Sequence, residues 1–349
     1  MNTPKIFFFD SKPYDIEFFD RANKKPGYNI KYYEGRLNSD SVKLVKGFNT
    51  ICIFVNDLVT KTMLKSLLEN GVKLIALRSA GYNNIDLKAV YRNIHIVRVP
   101  AYSPHAVAEH AVALMLTLNR KIHKAYYRTH ENNFTLNGLL GFDLYGKTAG
   151  VIGTGQIGKV VIDILNGFKM KVLAHDASPD NAYAKKNNFK YVSLKTLYRE
   201  SDVITLHCPL NKSTYHLIND DSISMMKDGV MIINTGRGGI IDSKALIQGL
   251  KSNKIGYAGL DVYEEESDYF FEDFSNVVLE DDVLARLLTF NNVIITSHQA
   301  FFTKEALSKI AETTLSNIED FFAGKILQNE ICYKCGNKKC LRKLNGRCF

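Results

Sequence analysis

Three side chains in the second half of the chain have the chemistry of an acid–base site that handles a carboxylate. Arg237 lies in an Asn-Thr-Gly-Arg-Gly-Gly segment, Glu266 ends Asp-Val-Tyr-Glu-Glu-Glu, and His298 lies in Thr-Ser-His-Gln-Ala. An arginine can hold a carboxylate through two parallel hydrogen bonds, and a histidine can exchange a proton near neutral pH. A carboxylate beside the imidazole orients its ring and favours its protonated form. Together they indicate chemistry at the 2-position of an oxo or hydroxy acid.

Each of these residues has a plainer interpretation when it is taken alone. Arg237 could be a loop arginine in a surface ion pair, His298 a histidine with ordinary polar contacts, and Glu266 part of a solvated acidic loop. A site is favoured because each of the three follows an apolar, strand-like run. The carboxyl ends of parallel strands are where α/β sheets bind ligands.

A glycine-rich turn indicates a dinucleotide site. Gly153, Gly155 and Gly158 form a G-x-G-x-x-G motif between a strand-like run and a helix-like run, and Asp176 ends the next strand-like run. The glycines permit a tight turn, a close approach of a pyrophosphate and close helix–strand packing, while the acid accepts ribose hydroxyls and repels a 2′-phosphate. This context favours NAD over NADP, and over an ordinary glycine turn with a surface acid. We also assign to the cofactor site Gln156, Ile157, Cys208, Pro209, Thr235, Gly236 and Asp261.

Two series of alternating strand-like and helix-like segments must position these residues. The first series occupies residues 1–100, and the second begins near residue 147. Such alternation predicts an α/β fold with two doubly wound parallel-sheet domains. Between the two series, Ser103-Pro104 provides an N-cap and a proline at the first helical position, which predicts a helix to about Tyr127. A last helix is predicted over about 303–322.

Composition excludes several other functional classes. The 349 residues are 46% hydrophobic and 23% charged, as in a globular protein. The most hydrophobic stretch, Ala106–Leu118, contains Glu109 and His110, so we expect no membrane contact. The apolar run Ile6–Phe9 is too short for a signal-peptide core, which favours a cytoplasmic protein. Although the net charge is +9, residues 331–349 carry six basic residues and no acid, so the remainder gives no case for nucleic-acid binding.

The C-terminal segment from residue 331 onward is unusual in its cysteines. Cys332, Cys335, Cys340 and Cys348 lie there, whereas only two cysteines precede them. The spacing C-x2-C-x4-C-x7-C differs from that of zinc ribbons and ferredoxins. A structural zinc site, redox-dependent disulfides and a disordered terminus with free thiols all remain open. Because every candidate catalytic residue precedes it, we expect the segment to be dispensable for catalysis.

Several motifs across residues 1–330 resemble the D-isomer-specific 2-hydroxyacid dehydrogenases. The motifs are 78–86 (RSAGYNNID), 99–104 (VPAYSP), 150–158, 234–239, 260–266 and 296–303 (TSHQAFFT). The stretch 268–273, with 281–284 after it, is similar to an insertion in the lactate branch of that family. The resemblance implies NADH-dependent, stereospecific reduction of pyruvate to D-lactate.

The resemblance also implies residue roles and a domain plan. His298 is the acid/base, Glu266 rather than Glu264 its partner, and Arg237 the carboxylate binder. The implied substrate contacts are Ala80 and Gly81 through backbone amides, and Tyr102 and Phe301 as pocket walls. A Rossmann-type NAD-binding domain (102–299) is inserted in a flavodoxin-like substrate domain (1–101 and 300–330), followed by the basic segment 331–349. The family implies a homodimer or homotetramer, with the helix from Pro104 at the contact.

Two other functions use the same scaffold. One is the same reaction on a bulkier 2-oxo acid, since pocket size is not readable from the sequence. The other is a dinucleotide-sensing binding protein like the C-terminal-binding-protein corepressors, which can keep the Arg–Glu–His set. We expect no catalytic metal. His105, Glu109 and His110 lack the spacing of a zinc enzyme, and an imidazolium already supplies the electrophile.

Overall fold

The computed structural model of the chain describes residues 4–266, 269–335 and 340–349. These residues divide into two compact units. Unit 1 comprises Met1–Ser103 and Phe302–Phe349, and unit 2 comprises Pro104–Phe301. The second unit is therefore inserted into the first.

Unit 1 is built on a five-stranded parallel sheet with the order β2-β1-β3-β4-β5. Its strands are β1 (Lys5–Phe8), β2 (Asn29–Tyr32), β3 (Thr50–Ile53), β4 (Leu74–Leu77) and β5 (His95–Val97). Its helices are α1 (Pro13–Asn23), α2 (Lys61–Glu69), α3 (Leu87–Val90), α12 (Lys304–Phe322) and α13 (Arg342–Asn345), with a 3₁₀ turn at Ser41–Val45. This strand order is that of flavodoxin-like sheets, as predicted.

The sheet of unit 1 is covered on both faces. Every residue of β3 and β4 is buried, which requires side chains that tolerate burial on either side of the strand. Helices α1 and α12 pack against each other on one face, and α12 also contacts β4. The long helix α12, far along the chain from β1, thus completes the core of unit 1.

Unit 2 is built on a seven-stranded parallel sheet with the order β12-β11-β10-β9-β6-β7-β8. Its strands are β6 (Thr148–Ile152), β7 (Lys171–His175), β8 (Lys190–Tyr191), β9 (Val203–Leu206), β10 (Val230–Asn234), β11 (Ile255–Leu260) and β12 (Val293–Ile295). Its helices are α4 (Pro104–Arg120), α5 (Ile122–His130), α6 (Gln156–Gly167), α7 (Asn181–Lys186), α8 (Leu194–Glu200), α9 (Asp220–Met225), α10 (Ser243–Lys251) and α11 (Asp282–Leu288), with a 3₁₀ turn at Gly238–Ile240. The chain runs outward from β6 in both directions, so the switch point of this doubly wound sheet lies between β6 and β9.

The helix that begins at Pro104 is shorter than the sequence predicts. It ends at Arg120, and α5 begins at Ile122. The break is at Lys121, whose φ of 49° lies in the left-handed region. A residue in that conformation cannot continue an α-helix, so the periodic pattern from Pro104 to Tyr127 covers two helices. No helix among the described residues is long and apolar enough to cross a membrane.

Candidate active site

The glycine-rich turn lies at the switch point of the unit 2 sheet. Gly153 follows β6 with a φ of 95°, and a Cβ there would lie 2.6 Å from the amide nitrogen of Cys208 at the end of β9. A Cβ on Gly158 would lie 2.0 Å from the carbonyl oxygen of Gly153. Only glycine therefore lets the turn fold back between two strands and start α6 at Gln156.

The middle glycine of the motif, Gly155, has open space beside it. A Cβ on Gly155 would meet no atom within 4 Å, so the backbone here is accessible from outside the turn. Gly155 is the N-cap of α6, whose first amides have no partner within the helix. An accessible helix N-terminus next to a glycine fits a pyrophosphate group.

Asp176 directly follows β7 and is held firmly at the same edge of the unit 2 sheet as the glycine turn. One carboxylate oxygen accepts hydrogen bonds from the Thr154 amide (2.6 Å) and hydroxyl (3.0 Å), and the other accepts one from the Ser178 amide (2.8 Å). Burial opposes the charge, but these hydrogen bonds outweigh it and lower the pKa of Asp176. The carboxylate is therefore ionised and oriented beside the glycine turn, as recognition of ribose hydroxyls requires.

The ends of β9 and β10 complete this part of the site. A Cβ on Gly236 would lie 3.7 Å from the Cys208 carbonyl oxygen, so the loop that begins at Thr235 is adjacent to the Cys208-Pro209 segment. The Thr235 hydroxyl is buried and has no hydrogen-bond partner among the described residues. A buried hydroxyl without a partner needs one from outside the chain, which a bound dinucleotide can provide.

His298 and Glu266 form a direct pair. The Nδ1 atom of His298 lies 2.9 Å from one carboxylate oxygen of Glu266. The other carboxylate oxygen accepts a hydrogen bond of 3.0 Å from the Tyr263 amide. The two side chains are 16% and 20% exposed, so the pair is shielded but remains reachable. With Nδ1 engaged, the other ring nitrogen of His298 is the one that can serve a ligand.

Glu264 has a different partner. One of its carboxylate oxygens lies 2.6 Å from Nε2 of His216, and the other accepts a hydrogen bond from the Ser243 hydroxyl (3.1 Å). The backbone of the loop after β11 thus directs Glu264 and Glu266 to separate histidines. Of the glutamates that the sequence leaves open, the geometry puts Glu266 beside His298.

Arg237 lies on the loop that packs against the segment holding Glu266. A Cβ on Gly238 would come within 2.0 Å of the Tyr263 carbonyl group, so only glycine allows this contact. The side-chain amide of Asn234 donates to the Arg237 carbonyl oxygen (3.0 Å). The guanidinium donates to the Gly236 carbonyl oxygen (2.7 Å) and forms no ion pair with any described carboxylate. No described carboxylate therefore neutralises the positive charge of Arg237.

Asp261 organises the histidine loop rather than offering a free carboxylate. One of its oxygens accepts hydrogen bonds from the Gln299 amide (2.9 Å) and the Thr296 hydroxyl (2.5 Å), and the other from the Ala300 amide (2.8 Å). Its carbonyl oxygen accepts the His298 amide at 2.7 Å. These contacts hold His298 at a φ of 52°, a conformation that needs outside support. Asp261 therefore stabilises the histidine loop, and its assignment to the cofactor site stays a prediction.

His110 on α4 also contacts the residues that hold the histidine loop in place. Its Nε2 atom lies 3.0 Å from the Thr296 hydroxyl and 3.3 Å from a carboxylate oxygen of Asp261. The sequence suggests only a metal-ligand role for His110 and does not reveal this contact. Its partners come from distant strand ends, and no local spacing indicates them.

The substrate residues predicted in unit 1 lie after β4. The Ser79 hydroxyl donates to the Gly81 carbonyl oxygen (2.8 Å), and the Arg98 guanidinium donates to the Ala80 carbonyl oxygen (2.5 Å). Their carbonyls are engaged, but the amides of Ala80 and Gly81 donate to no acceptor in the part of the chain that the structure describes. Two such amides form a small anion-binding group. Tyr102 is half-buried in unit 1, and Phe301 is buried in unit 2.

The fold and the site together define an α/β dinucleotide-binding enzyme of the doubly wound class. A family model for the NAD-binding domain of D-isomer specific 2-hydroxyacid dehydrogenases matches residues 112–300. The D-lactate dehydrogenase of Escherichia coli K12 is 50% identical over 328 residues, covering 94% of this chain and 99% of that relative. The chain belongs to the D-isomer specific 2-hydroxyacid dehydrogenase family and is an NAD-dependent oxidoreductase.

Solved structures agree with this assignment. The structure of the pyruvate reductase of Chlamydomonas reinhardtii superposes with a TM-score of 0.89 at 42% identity, over 94% of this chain and 98% of that chain. The D-lactate dehydrogenase of Aquifex aeolicus, complexed with NAD and lactic acid, has a TM-score of 0.83 at 35% identity, over 94% of this chain and 99% of that chain. The predicted family, fold class and cofactor are therefore confirmed.

Proposed function

We propose that this enzyme reduces pyruvate to D-lactate with NADH. The observation that carries the proposal is the His298–Glu266 pair, 2.9 Å apart, on the same sheet edge as Arg237 and the glycine turn. A relative that is 50% identical is a D-lactate dehydrogenase, and a neighbour with a TM-score of 0.89 is a pyruvate reductase.

Bound NADH supplies the hydride that is added to C2 of the 2-oxo acid. The chain's part is to supply the proton. His298, protonated on both ring nitrogens, donates from Nε2 to the substrate carbonyl oxygen while Nδ1–H stays bonded to Glu266. Hydride and proton together turn the ketone into a secondary alcohol, and His298 is left neutral. Glu266 remains a carboxylate throughout, because its role is to orient the ring and to stabilise the imidazolium.

The charge balance of the site suits a carboxylate substrate. We assign Arg237 to the substrate carboxylate, since its guanidinium has no carboxylate partner among the described residues. The free amides of Ala80 and Gly81 offer a second set of donors for the same kind of group. Tyr102 and Phe301 remain our candidates for the pocket wall.

The residues around the glycine turn fit NAD. The accessible backbone at Gly155 and the N-terminal amides of α6, at Gln156 and Ile157, would take the pyrophosphate. Asp176 would accept the ribose hydroxyls. We propose that the loops containing Cys208, Pro209, Thr235 and Gly236 hold the rest of the dinucleotide.

Turnover of a panel of 2-oxo acids tests the proposal. Purified full-length protein is assayed by NADH oxidation with pyruvate, 2-oxoisocaproate and phenylpyruvate, and the product configuration is determined by chiral chromatography. We expect kcat/KM for pyruvate to exceed the others by at least about tenfold, since the proposal requires a pocket sized for a methyl group, which would exclude larger groups. The product should be D-lactate.

Two variants separate chemistry from folding. His298→Ala should lower kcat about 100-fold or more while NADH binding, followed by fluorescence, is retained. Lys195→Ala, at an exposed side chain of α8, should leave kcat unchanged. A preference for a bulkier acid would refute pyruvate as the substrate, and NADH binding without turnover of any acid would refute the enzymatic proposal.

A further inference from the structure

The four cysteines of the C-terminal segment come together at one point. Their Sγ atoms all lie within 4.8 Å of one another. Five of the Sγ–Sγ distances are 3.7–3.9 Å, and they involve all four of Cys332, Cys335, Cys340 and Cys348. Four sulfur atoms that are nearly equidistant form a tetrahedron.

The size of this tetrahedron matches a single tetrahedral metal ion. A Zn–S bond of about 2.3 Å places the sulfur atoms of a tetrahedral site about 3.8 Å apart. A disulfide would bring one pair to about 2.05 Å and leave that pair distinct from the others, which is not the arrangement here. An iron–sulfur cluster would require the cysteines to surround several metal atoms, and the space between them is too small.

The surrounding protein shields the cysteine cluster from solvent. Cys332 and Cys348 are buried, and the Cys332 amide donates to the Cys335 sulfur at 3.2 Å. Four thiolates fill every position of a tetrahedral ion, so no position is left for a substrate or water. Such a site stabilises structure and does not catalyse.

The electrostatic surroundings suit a site with excess negative charge. Zinc with four thiolates carries a net charge of minus two. Lys334, Arg342 and Arg347 lie in the same segment, where Arg342 donates to the Gln328 carbonyl oxygen and Arg347 to that of Phe321. The acid next to the cluster is Glu330, which is buried and already holds His95 and the Cys348 amide.

The cysteines connect two pieces of the segment to the sheet of unit 1. On one side, the Ile331 amide donates to the Ile96 carbonyl oxygen of β5 (2.9 Å), and Ile331 lies in the core of unit 1. On the other side, Phe349 stacks on His95 with ring centroids 4.3 Å apart. Cys332 and Cys335 belong to the first piece, and Cys340 and Cys348 to the second.

We propose that Cys332, Cys335, Cys340 and Cys348 bind one zinc ion, which fastens the C-terminal segment to unit 1. The site shares no residue with the glycine turn and the histidine loop of unit 2, and the family model, which matches residues 112–300, does not include it. The ion is a structural element of this chain and takes no part in the reaction.

Metal analysis of the full-length protein tests the site directly. Protein produced in zinc-supplemented medium and purified under reducing conditions should contain about one zinc per chain by mass spectrometry of the metals. Cys340→Ser, at a half-buried ligand, should lower the content at least about fivefold because three thiolates bind zinc far less tightly. Cys208→Ser, at a half-buried cysteine outside the cluster, should keep the wild-type zinc content.

Cobalt substitution gives a second readout that does not depend on a variant folding. Wild-type protein loaded with Co²⁺ should show intense thiolate-to-metal charge-transfer bands and the visible bands of a tetrahedral site, and added Zn²⁺ should abolish them. Removal of the zinc should also lower the melting temperature, and added Zn²⁺ should restore it.

Three results would overturn the proposal. The first is protein that stays free of zinc and gives no tetrahedral cobalt spectrum under reducing conditions. The second is intact-mass evidence that the cysteines are paired in disulfides in freshly purified protein. The third is stoichiometric iron in place of zinc, which the same metal analysis detects.

Discussion

At the scale of single residues, the clearest feature of the site is the separation of two glutamates in one short loop. Glu266 contacts His298, and Glu264 contacts His216. The Glu266 carboxylate fixes the orientation of the His298 ring through Nδ1. Glu266→Gln should therefore lower kcat for pyruvate reduction about tenfold or more, because the ring is held less firmly for proton transfer. Steady-state NADH oxidation with pyruvate measures this loss.

Glu264→Gln is the matched control for that experiment. It makes the same chemical change two residues away and leaves the His298 contact in place. Its kcat should follow that of the wild type. A loss of kcat in Glu264→Gln, with Glu266→Gln unchanged, would reverse the assignment of the two acids.

A second prediction at the residue scale concerns Asp176. Its carboxylate is fixed by Thr154 and Ser178 and carries a lowered pKa, so it is charged throughout the neutral range. A charged, immobile acid should repel the 2′-phosphate of NADPH. We expect kcat/KM for NADH to exceed that for NADPH at least about 100-fold, and Asp176→Ser to reduce this ratio at least about tenfold. Equal use of both cofactors by the wild type would contradict the role of Asp176.

At the scale of elements, β9 is followed directly by His207, a histidine outside the catalytic set. His207 is half-buried, and its Nε2 atom lies 2.8 Å from the Thr205 hydroxyl. Burial lowers the pKa of His207 to about 4, below its ordinary value near 6.5. Between these two pH values the unfolded chain binds a proton that the folded chain does not. Stability should therefore fall as the pH drops through this window.

Replacing His207 tests this expectation. On going from pH 7 to pH 5, the wild type should lose on the order of 1–2 kcal/mol more unfolding free energy than His207→Gln. Urea unfolding at both pH values gives the difference, and other titrating groups cancel in the comparison. Lys195→Gln, at an exposed position of α8, should behave as the wild type does. A wild type and a His207→Gln variant with equal pH dependence would refute the prediction.

At the scale of the whole molecule, one stretch of unit 2 exposes many large apolar side chains. In α5 and the segment after it, Tyr127 is 69% exposed, Phe134 72%, Leu136 81% and Leu140 85%. Globular proteins rarely leave so many large apolar side chains of one short stretch uncovered. We propose that a second copy of the chain covers it, in line with the homo-oligomer expected from the sequence.

Charge introduced into this stretch should break that assembly. Wild-type protein should sediment as a dimer or tetramer, and the double variant Leu136→Glu/Leu140→Glu as a smaller species, because buried unpaired carboxylates oppose association. Val278→Glu, at an apolar side chain that is 83% exposed elsewhere in unit 2, should keep the wild-type mass. A monomeric wild type would refute the proposal.

The C-terminal segment contributes to the core of unit 1, although no candidate catalytic residue lies in it. From the sequence alone we expect it to be dispensable for catalysis. In the structure Ile331 and Cys335 pack into the core of unit 1, and Cys348 is completely buried. Deletion of 331–349 would therefore remove core contacts of unit 1, so any effect on activity has to be measured together with stability.

Much of this protein can be predicted from local sequence. The glycine spacing at 153–158 requires a tight turn after a strand, and alternating strand-like and helix-like runs require parallel sheets covered on both faces. Arg237, Glu266 and His298 could be selected because each follows a strand, and the ends of parallel strands lie at one edge. Such features depend on periodicity and on the conformational freedom of glycine, which are properties of short segments.

Other features depend on contacts between segments far apart in the chain. The choice between Glu264 and Glu266 was decided by which histidine each carboxylate reaches. The helix break at Lys121 interrupts an apolar pattern that continues unbroken in the sequence, and the role of His110 depends on Asp261. The C-terminal cysteines have a spacing with several interpretations, and only their tetrahedral arrangement separates a metal site from disulfides or a disordered end. Local patterns determine elements, whereas the partners of charged and sulfur-containing side chains are determined by how those elements pack.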